Sequence, residues 1–226
     1  MHLYSWRTVY DRLFEALYQQ KPLDETGDFF NLDKLRFITD NELPNYKIVS
    51  KVRSYDCAYS DDTKGNVNDR TASVLMYRTI DDYYIIRELR ADRYGERLFN
   101  VINSTARLDT PSIPILIETG TVGGSSKALF DIYKDRLTGY LVEQSKPITS
   151  KVDRAYGFKE AILDGKVLIC LDDYNRGQLL EEMRGFPLMK HDDIIDACSY
   201  AYNYLSDKAG ANMVGTGGRR HRRSLI

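Results

Sequence analysis

The sequence has no long apolar run, few cysteines and no excess of charge of either sign. No stretch reaches the roughly 20 apolar residues of a membrane-spanning helix, and the polar, aromatic start does not resemble a signal peptide. The cysteines Cys57, Cys170 and Cys198 lie far apart, without zinc-ligand spacing or a disulfide framework, which favours a reducing cytosol. With 226 residues, 42% of them hydrophobic, the chain is long enough for one large globular domain or two small ones.

The near-neutral charge argues against a strong, general nucleic-acid binder, which usually has a basic domain. The formal net charge is -1 and the isoelectric point is about 6.3. Basic residues are nevertheless concentrated in residues 215–223, where a glycine-rich stretch leads into four arginines. We expect a flexible basic tail that contacts phosphates or an acidic partner, with a solvated, disordered tail as the equal alternative.

Hydrophobic periodicity divides the chain into an arm at 1–47, a domain at 48–206 and the tail at 207–226. The arm begins with a predicted helix over 1–20 and continues as an irregular linker. In the domain the pattern predicts strands over 48–58, 71–78, 83–89, 113–117, 139–143 and 167–171. It predicts helices over 94–108, 127–137, 150–164, 174–184 and 193–205. Three antiparallel strands followed by alternating helices and strands favour an α/β fold, a mixed sheet with helices on both faces.

Three carboxylates, Asp56, Glu118 and Asp193, each adjoin an apolar run. A buried carboxylate needs a partner, because the burial of its charge alone is costly. Three such groups on separate elements suit two divalent cations about 3.5–4 Å apart, as in many nucleases. The alternatives are an aspartate that starts a loop at Asp56, a solvated strand end at Glu118, and a helix cap at Asp193.

The segment around Asp193 holds further candidates. Asp192 is a second metal-ligand candidate, although an aspartate at a helix start also serves as a cap and suits the helix dipole. Asp196, one turn further on, is predicted to support the ligands without binding metal directly. His191 is interpreted as a local hydrogen-bonding residue, with metal binding as the second possibility.

Three basic residues are candidates for binding phosphates: Lys127, Lys151 and Arg154. Lys127 ends the glycine-rich segment 120–127, which does not match the Walker A pattern of phosphate-binding loops. Lys151 and Arg154 lie in the first turn of a predicted helix, where positive charge opposes the dipole unless an anion offsets it. A solvated basic turn is the alternative.

In order along the chain, these segments resemble the C-terminal nuclease domain of the large terminase subunit of tailed bacteriophages. The resemblance spans roughly residues 15–206. Residues 16–22 and 27–30 look like the segment that joins the motor to the nuclease. The other matching pieces are Asp56-Cys-Ala, Asp69-Arg-Thr-Ala, Ile117-Glu118, Lys151-Val-Asp-Arg-Ala, Gly165-Lys-Val-Leu and Phe186-Pro-x-x-x-His-Asp-Asp-Ile-Ile-Asp-Ala.

The resemblance implies a ribonuclease H-like fold with Asp56, Glu118 and Asp193 as metal ligands, Asp192 as an accessory acid and Asp69 as a further supporting group. It implies two divalent cations, Mg²⁺ or Mn²⁺, and an endonuclease that cuts concatemeric phage DNA during packaging in the host cytoplasm. Expected partners are double-stranded DNA, the portal, the small terminase subunit and the ATPase domain of the full-length protein.

Two features set this chain apart from the complete family protein. It has no Walker A motif, so we expect no ATPase motor in this chain, and its charge is close to neutral. A junction resolvase or transposase of the same fold is the competing enzyme. A docking module for the portal or motor, with a vestigial acidic site, is the non-enzymatic alternative.

Overall fold

A computed structural model describes residues 29–57, 70–118, 124–145, 149–189 and 191–215. The helix predicted over 1–20 therefore lies outside the described residues. Seven strands occur in the described residues: β1 (Arg36–Phe37), β2 (Ile48–Asp56), β3 (Thr71–Thr79), β4 (Tyr84–Asp92), β5 (Ile115–Glu118), β6 (Val142–Ser145) and β7 (Val167–Ile169). The α-helices described are α1 (Leu98–Asp109), α2 (Gly124–Arg136), α3 (Lys151–Leu163), α4 (Asp173–Gly185) and α5 (Asp193–Gly215). Short 3-10 helices cover Leu32–Lys34, Leu43–Asn45 and Gly95–Arg97.

The strands form one mixed sheet in the order β1-β7-β4-β3-β2-β5-β6. Strand β3 is antiparallel to β2 and β4, whereas β5 runs parallel to β2, β6 to β5, β7 to β4 and β1 to β7. The tight turn between β3 and β4 closes with a hydrogen bond from the Thr79 amide to the Tyr83 carbonyl at 2.9 Å. Asp82 in this turn has a positive φ of 60°, a conformation that aspartate tolerates. The predicted mixed sheet is confirmed.

Helices cover both faces of the sheet. Side chains of successive strand residues point to opposite faces, so a single strand contributes to a core on each side. Val52 of β2 belongs to a core beneath α3, α4 and α5, together with Phe158, Leu179 and Ile195. Tyr55 belongs to a second core beneath α1 and α2. None of the helices in the described part of the chain is long and apolar enough to cross a bilayer.

The last residues of the segment predicted as an irregular linker pack against the sheet. Phe30 and Leu35 are buried in the core of the α5 face. Arg36 and Phe37 form the edge strand β1, and Ile38 packs against the core around Ile85 of β4. The prediction missed β1 because two strand residues carry no detectable period.

The end of one helix and the start of one strand also differ from the prediction. Helix α5 continues to Gly215, past the predicted end at 205. Residues such as Lys208 and Ala209 favour helix, and no proline interrupts this stretch. The strand predicted from 139 begins at Val142, because Gly139 adopts a positive φ of 92° just after α2.

Candidate metal centre

Asp56 and Glu118 lie side by side at the carboxyl ends of two neighbouring parallel strands. The register of β2 with β5 pairs Tyr55 with Ile117, so the next residue of each strand is one of these two acids. Alternation places both on the face opposite Tyr55, which is the face covered by α5. The carboxyl ends of strands are where open α/β sheets bind their ligands.

Helix α5 brings a third carboxylate, Asp196, to the same place. Asp56, Glu118 and Asp196 each offer a carboxylate oxygen, and these atoms all lie within 4.8 Å of one another. We call these three residues the acidic cluster. Asp196 is largely buried, and Asp56 and Glu118 are partly buried.

The carboxylates of the acidic cluster repel one another, and Arg154 offsets only part of their negative charge. Burial, and next the negative charge of Glu118, raise the pKa of the Asp56 carboxyl well above its usual range. Burial also raises the pKa of Asp196 to about 6, although the neighbouring Arg154 guanidinium lowers it. Carboxylates held this close cannot all ionise at their ordinary pKa. Their oxygens are the ligands that hard divalent cations prefer, so the donor set suits such an ion.

Asp193, predicted as the third ligand, points its carboxylate toward basic groups. Arg70 Nε donates to Asp193 Oδ2 at 3.2 Å, and His191 Nδ1 lies 3.8 Å from the same oxygen. The negative charge of Asp193 still raises the pKa of Asp56, so the residue borders the site. Burial likewise raises the pKa of Asp193 itself. Its role as a metal ligand stays a prediction.

The structure thus brings Asp196, predicted as a supporting group, into the acidic cluster in addition to Asp56 and Glu118. Asp193 and Asp196 are three residues apart in α5 and so occupy neighbouring positions on the helix surface. Helical spacing alone cannot decide which of the two meets the strand ends. Arg70, which is far away in sequence, distinguishes them because it donates a hydrogen bond to Asp193.

The remaining predicted acids and Lys127 are distributed around this centre. Asp192 Oδ2 accepts a hydrogen bond from Lys151 Nζ at 2.6 Å. Asp69 lies outside the described residues. The backbone of Lys127 belongs to the first turn of α2, and its side chain lies outside the described part.

Lys151 and Arg154, predicted to bind phosphates, both form ion pairs with carboxylates of this region. Arg154 Nη2 donates to the two oxygens of Asp196 at 2.8 and 2.9 Å. Arg154 Nη1 donates to the Thr149 carbonyl at 2.8 Å, which fixes the guanidinium. The Lys151 side chain remains 38% exposed despite its pairing with Asp192. Positive charge therefore lies at the rim of the acidic cluster, and its role toward DNA stays a prediction.

One functional candidate was missed entirely by the sequence analysis: Glu182 of α4. Its Oε2 accepts the amide hydrogens of Ile194 at 2.9 Å and Ile195 at 3.4 Å, at the start of α5. It also forms an ion pair with Arg70. Capping signatures are read within a few residues of the helix start, whereas Glu182 lies on the preceding helix, so no local signal reveals it. This cap does not depend on Asp192 or Asp193.

The sheet order and the carboxylates at adjacent strand ends define a ribonuclease H-like protein. The sequence model of one such family, the terminase RNaseH-like domain, matches residues 53–205, about two thirds of the chain. The chain belongs to this family. No curated protein matches the sequence.

Solved structures share this fold at low sequence identity. The large terminase nuclease of thermophilic phage G20c with bound zinc has 16% identity and a TM-score of 0.53, covering 77% of this chain and 97% of that one. The same phage nuclease with bound magnesium gives a TM-score of 0.51 at 16% identity, with 78% and 96% covered. The yeast mitochondrial Holliday junction resolvase Ydc2 has 14% identity and a TM-score of 0.50, with 74% and 82% covered.

Proposed function

We propose that this domain is a metal-dependent endodeoxyribonuclease that cuts concatemeric phage DNA during genome packaging. The observation that carries the proposal is the acidic cluster of Asp56, Glu118 and Asp196 in a terminase RNaseH-like domain. Three converging, largely desolvated carboxylates form a donor set that suits divalent cations, because their mutual repulsion needs more positive charge than Arg154 alone supplies.

The cations are Mg²⁺ or Mn²⁺, two per site, held by the acidic cluster with Asp193 and Asp192 at its border. The phage G20c nuclease was crystallised with zinc, magnesium and cobalt, which supports a site for divalent metals. When bound, two such ions activate a water molecule and stabilise the departing oxygen of a phosphodiester. No histidine or lysine base is then required.

The chain's own basic residues hold the substrate. Lys151 reaches the rim of the site and is partly exposed, and Arg154 carries its charge beside Asp196. A phosphodiester that enters the site meets the positively charged side chains of Lys151 and Arg154. Lys127 is the third proposed phosphate contact. In a nearly neutral domain these few contacts give weak, salt-sensitive binding, so the ATPase domain, small terminase subunit and portal supply further affinity in the host cytoplasm.

A plasmid-cutting assay tests the proposal. Wild type should nick and cut supercoiled plasmid with Mn²⁺ or Mg²⁺, without ATP and with little sequence preference. Glu118→Gln should remove this activity, because it removes a charged ligand while preserving side-chain size. The matched control is Asp92→Asn, which changes an exposed aspartate at the end of β4. Equal cleavage by wild type and Glu118→Gln would refute the proposed site.

A junction-resolving nuclease is the second candidate, because Ydc2 shares the fold at a TM-score of 0.50. The same preparation should be offered four-way junctions and linear duplexes of identical sequence. Comparable cleavage of both supports the packaging nuclease. Cleavage confined to the junction would favour the resolvase.

A further inference from the structure

Glu182 is an ionisable group in an unusual place, almost fully buried between α4 and the start of α5. Its side chain is 4% exposed. One oxygen accepts from the amides of Ile194 and Ile195, and the carboxylate pairs with Arg70. A helix start leaves its first amides without backbone partners, and these are usually satisfied by a residue next to the helix. Here the acceptor comes from a different helix.

We propose that Glu182 is a positioning residue for the metal centre: it fixes the first turn of α5 so that Asp196 meets Asp56 and Glu118. The inference rests on the proposed function, since it concerns the same site. Glu182 itself does not touch the reacting atoms.

The geometry of α5 explains why its first turn needs a fixed register. Ile194 and Ile195 are fully buried, and Asp196 follows them directly. One residue of an α-helix corresponds to a rotation of about 100°. If the first turn unwound or slipped by one residue, Asp196 would leave the acidic cluster. The hydrogen bonds that the two amides just before Asp196 donate to Glu182 oppose both changes.

Arg70 makes the buried charge of Glu182 tolerable and extends its influence to a second acid. A buried carboxylate without a countercharge is strongly destabilising. Arg70 pairs with Glu182 and donates to Asp193 Oδ2 at 3.2 Å. The same carboxylate therefore holds the amide side of the helix start and, through Arg70, orients Asp193 at the border of the site.

Two substitutions distinguish the effect of the length of the Glu182 side chain from the effect of its charge. Glu182→Gln preserves side-chain length and one acceptor oxygen, whereas Glu182→Asp preserves the charge but shortens the side chain by one methylene. We expect Glu182→Asp to weaken Mn²⁺ binding by about 10-fold to 100-fold, the usual range for groups that orient metal ligands. Glu182→Gln keeps the acceptor for the two amides but loses the ion pair with Arg70, so its Mn²⁺ affinity should fall less than that of Glu182→Asp. Calorimetric titration with MnCl₂ measures both.

A destabilised control distinguishes positioning from general damage. Leu179→Ala creates a cavity on the same helix, at a fully buried position of the same core, and keeps the Glu182 carboxylate and both amides that donate to it. We expect it to lower the unfolding midpoint and leave Mn²⁺ affinity unchanged. Amide hydrogen exchange at Ile194 and Ile195 should accelerate in Glu182→Asp more than in Leu179→Ala.

Several outcomes overturn the inference. The inference is wrong if Glu182→Asp binds Mn²⁺ with wild-type affinity. It is also wrong if Leu179→Ala loses as much Mn²⁺ affinity as Glu182→Asp does. If Glu182→Asp does not fold, a folded Glu182→Gln whose Mn²⁺ affinity is as low as that of Asp56→Asn refutes positioning by the length of the side chain. Asp56→Asn separates this result from the proposed function. If Asp56→Asn still binds Mn²⁺ as wild type does, the metal site itself is wrong. If only Asp56→Asn loses binding, the site stands and the role of Glu182 falls.

Discussion

The metal-free domain should become less stable as the pH rises from about 4 to about 7, because Asp196 binds a proton more tightly when folded. Its carboxyl has a folded pKa of about 6 against an ordinary value of 3.8. For a raised folded pKa, the stabilising contribution is complete below the unfolded pKa and is lost as the pH rises through the folded pKa. A gap of about two pKa units corresponds to about 3 kcal/mol. Asp56 shifts in the same direction and adds to the loss.

Urea unfolding in EDTA at a series of pH values measures this loss. The comparison is between wild type and Asp196→Asn, with Asp92→Asn as the exposed control. Removal of Asp196 also deprives Arg154 of a partner, but that cost is constant over this pH range and cancels. The difference in unfolding free energy between wild type and Asp196→Asn should change by about 3 kcal/mol from acid to neutral pH.

Parallel pH curves for wild type and Asp196→Asn would refute the reasoning. They would mean that Arg154 compensates the buried charge completely and that Asp196 ionises at its ordinary pKa. Excess Mn²⁺ at neutral pH should restore the stability of wild type, because the cation offsets the same repulsion.

Three further predictions concern metal, core and tail. Mn²⁺ should raise the melting temperature of wild type but not of Asp56→Asn in calorimetry, with a gain of about 2.7 kcal/mol at 100 times the dissociation constant. Arg53→Met should lower the free energy of unfolding by about 3–5 kcal/mol, since it leaves a buried acid unpaired. Arg53 donates to the two oxygens of the buried Asp109 at 2.6 and 2.8 Å. An unchanged midpoint of chemical denaturation in Arg53→Met would contradict this prediction. Deletion of residues 216–226 should leave the unfolding midpoint unchanged and flatten the salt dependence of DNA binding, by up to about 0.9 in slope for each lost phosphate contact. An equal slope for the full chain and the deletion variant would mean that the tail does not contact DNA phosphates.

The order of the main strands and helices could be predicted because their signals are local. Alternation and helical periodicity are contained within each segment. Strand β1 is different, since its two residues are fixed only by pairing with β7, far along the chain. The extent of α5 also escaped the prediction, because the apolar face fades while the helix continues.

The residues of the acidic cluster could be predicted in part, because some of their signals are also local. Asp56 and Glu118 follow directly from carboxylates at the ends of apolar strands. The choice between Asp193 and Asp196 depends on Arg70, and the cap by Glu182 depends on how two helices pack. Such contacts between distant segments leave no periodic trace in one sequence.

The parallel pairing of β5 with β2 has a consequence for how the protein is made. Strand β3 pairs with its neighbours in sequence, β2 and β4, whereas β5 returns to β2 only after β3, β4 and the helix α1. Contacts between distant segments form late, because closing a long loop costs entropy before the favourable contacts can form. A nascent chain emerges from the ribosome with its N-terminal part first. It presents Asp56 and Glu118 well before Asp196, so the acidic cluster is completed only when α5 has been synthesised and has packed on the sheet.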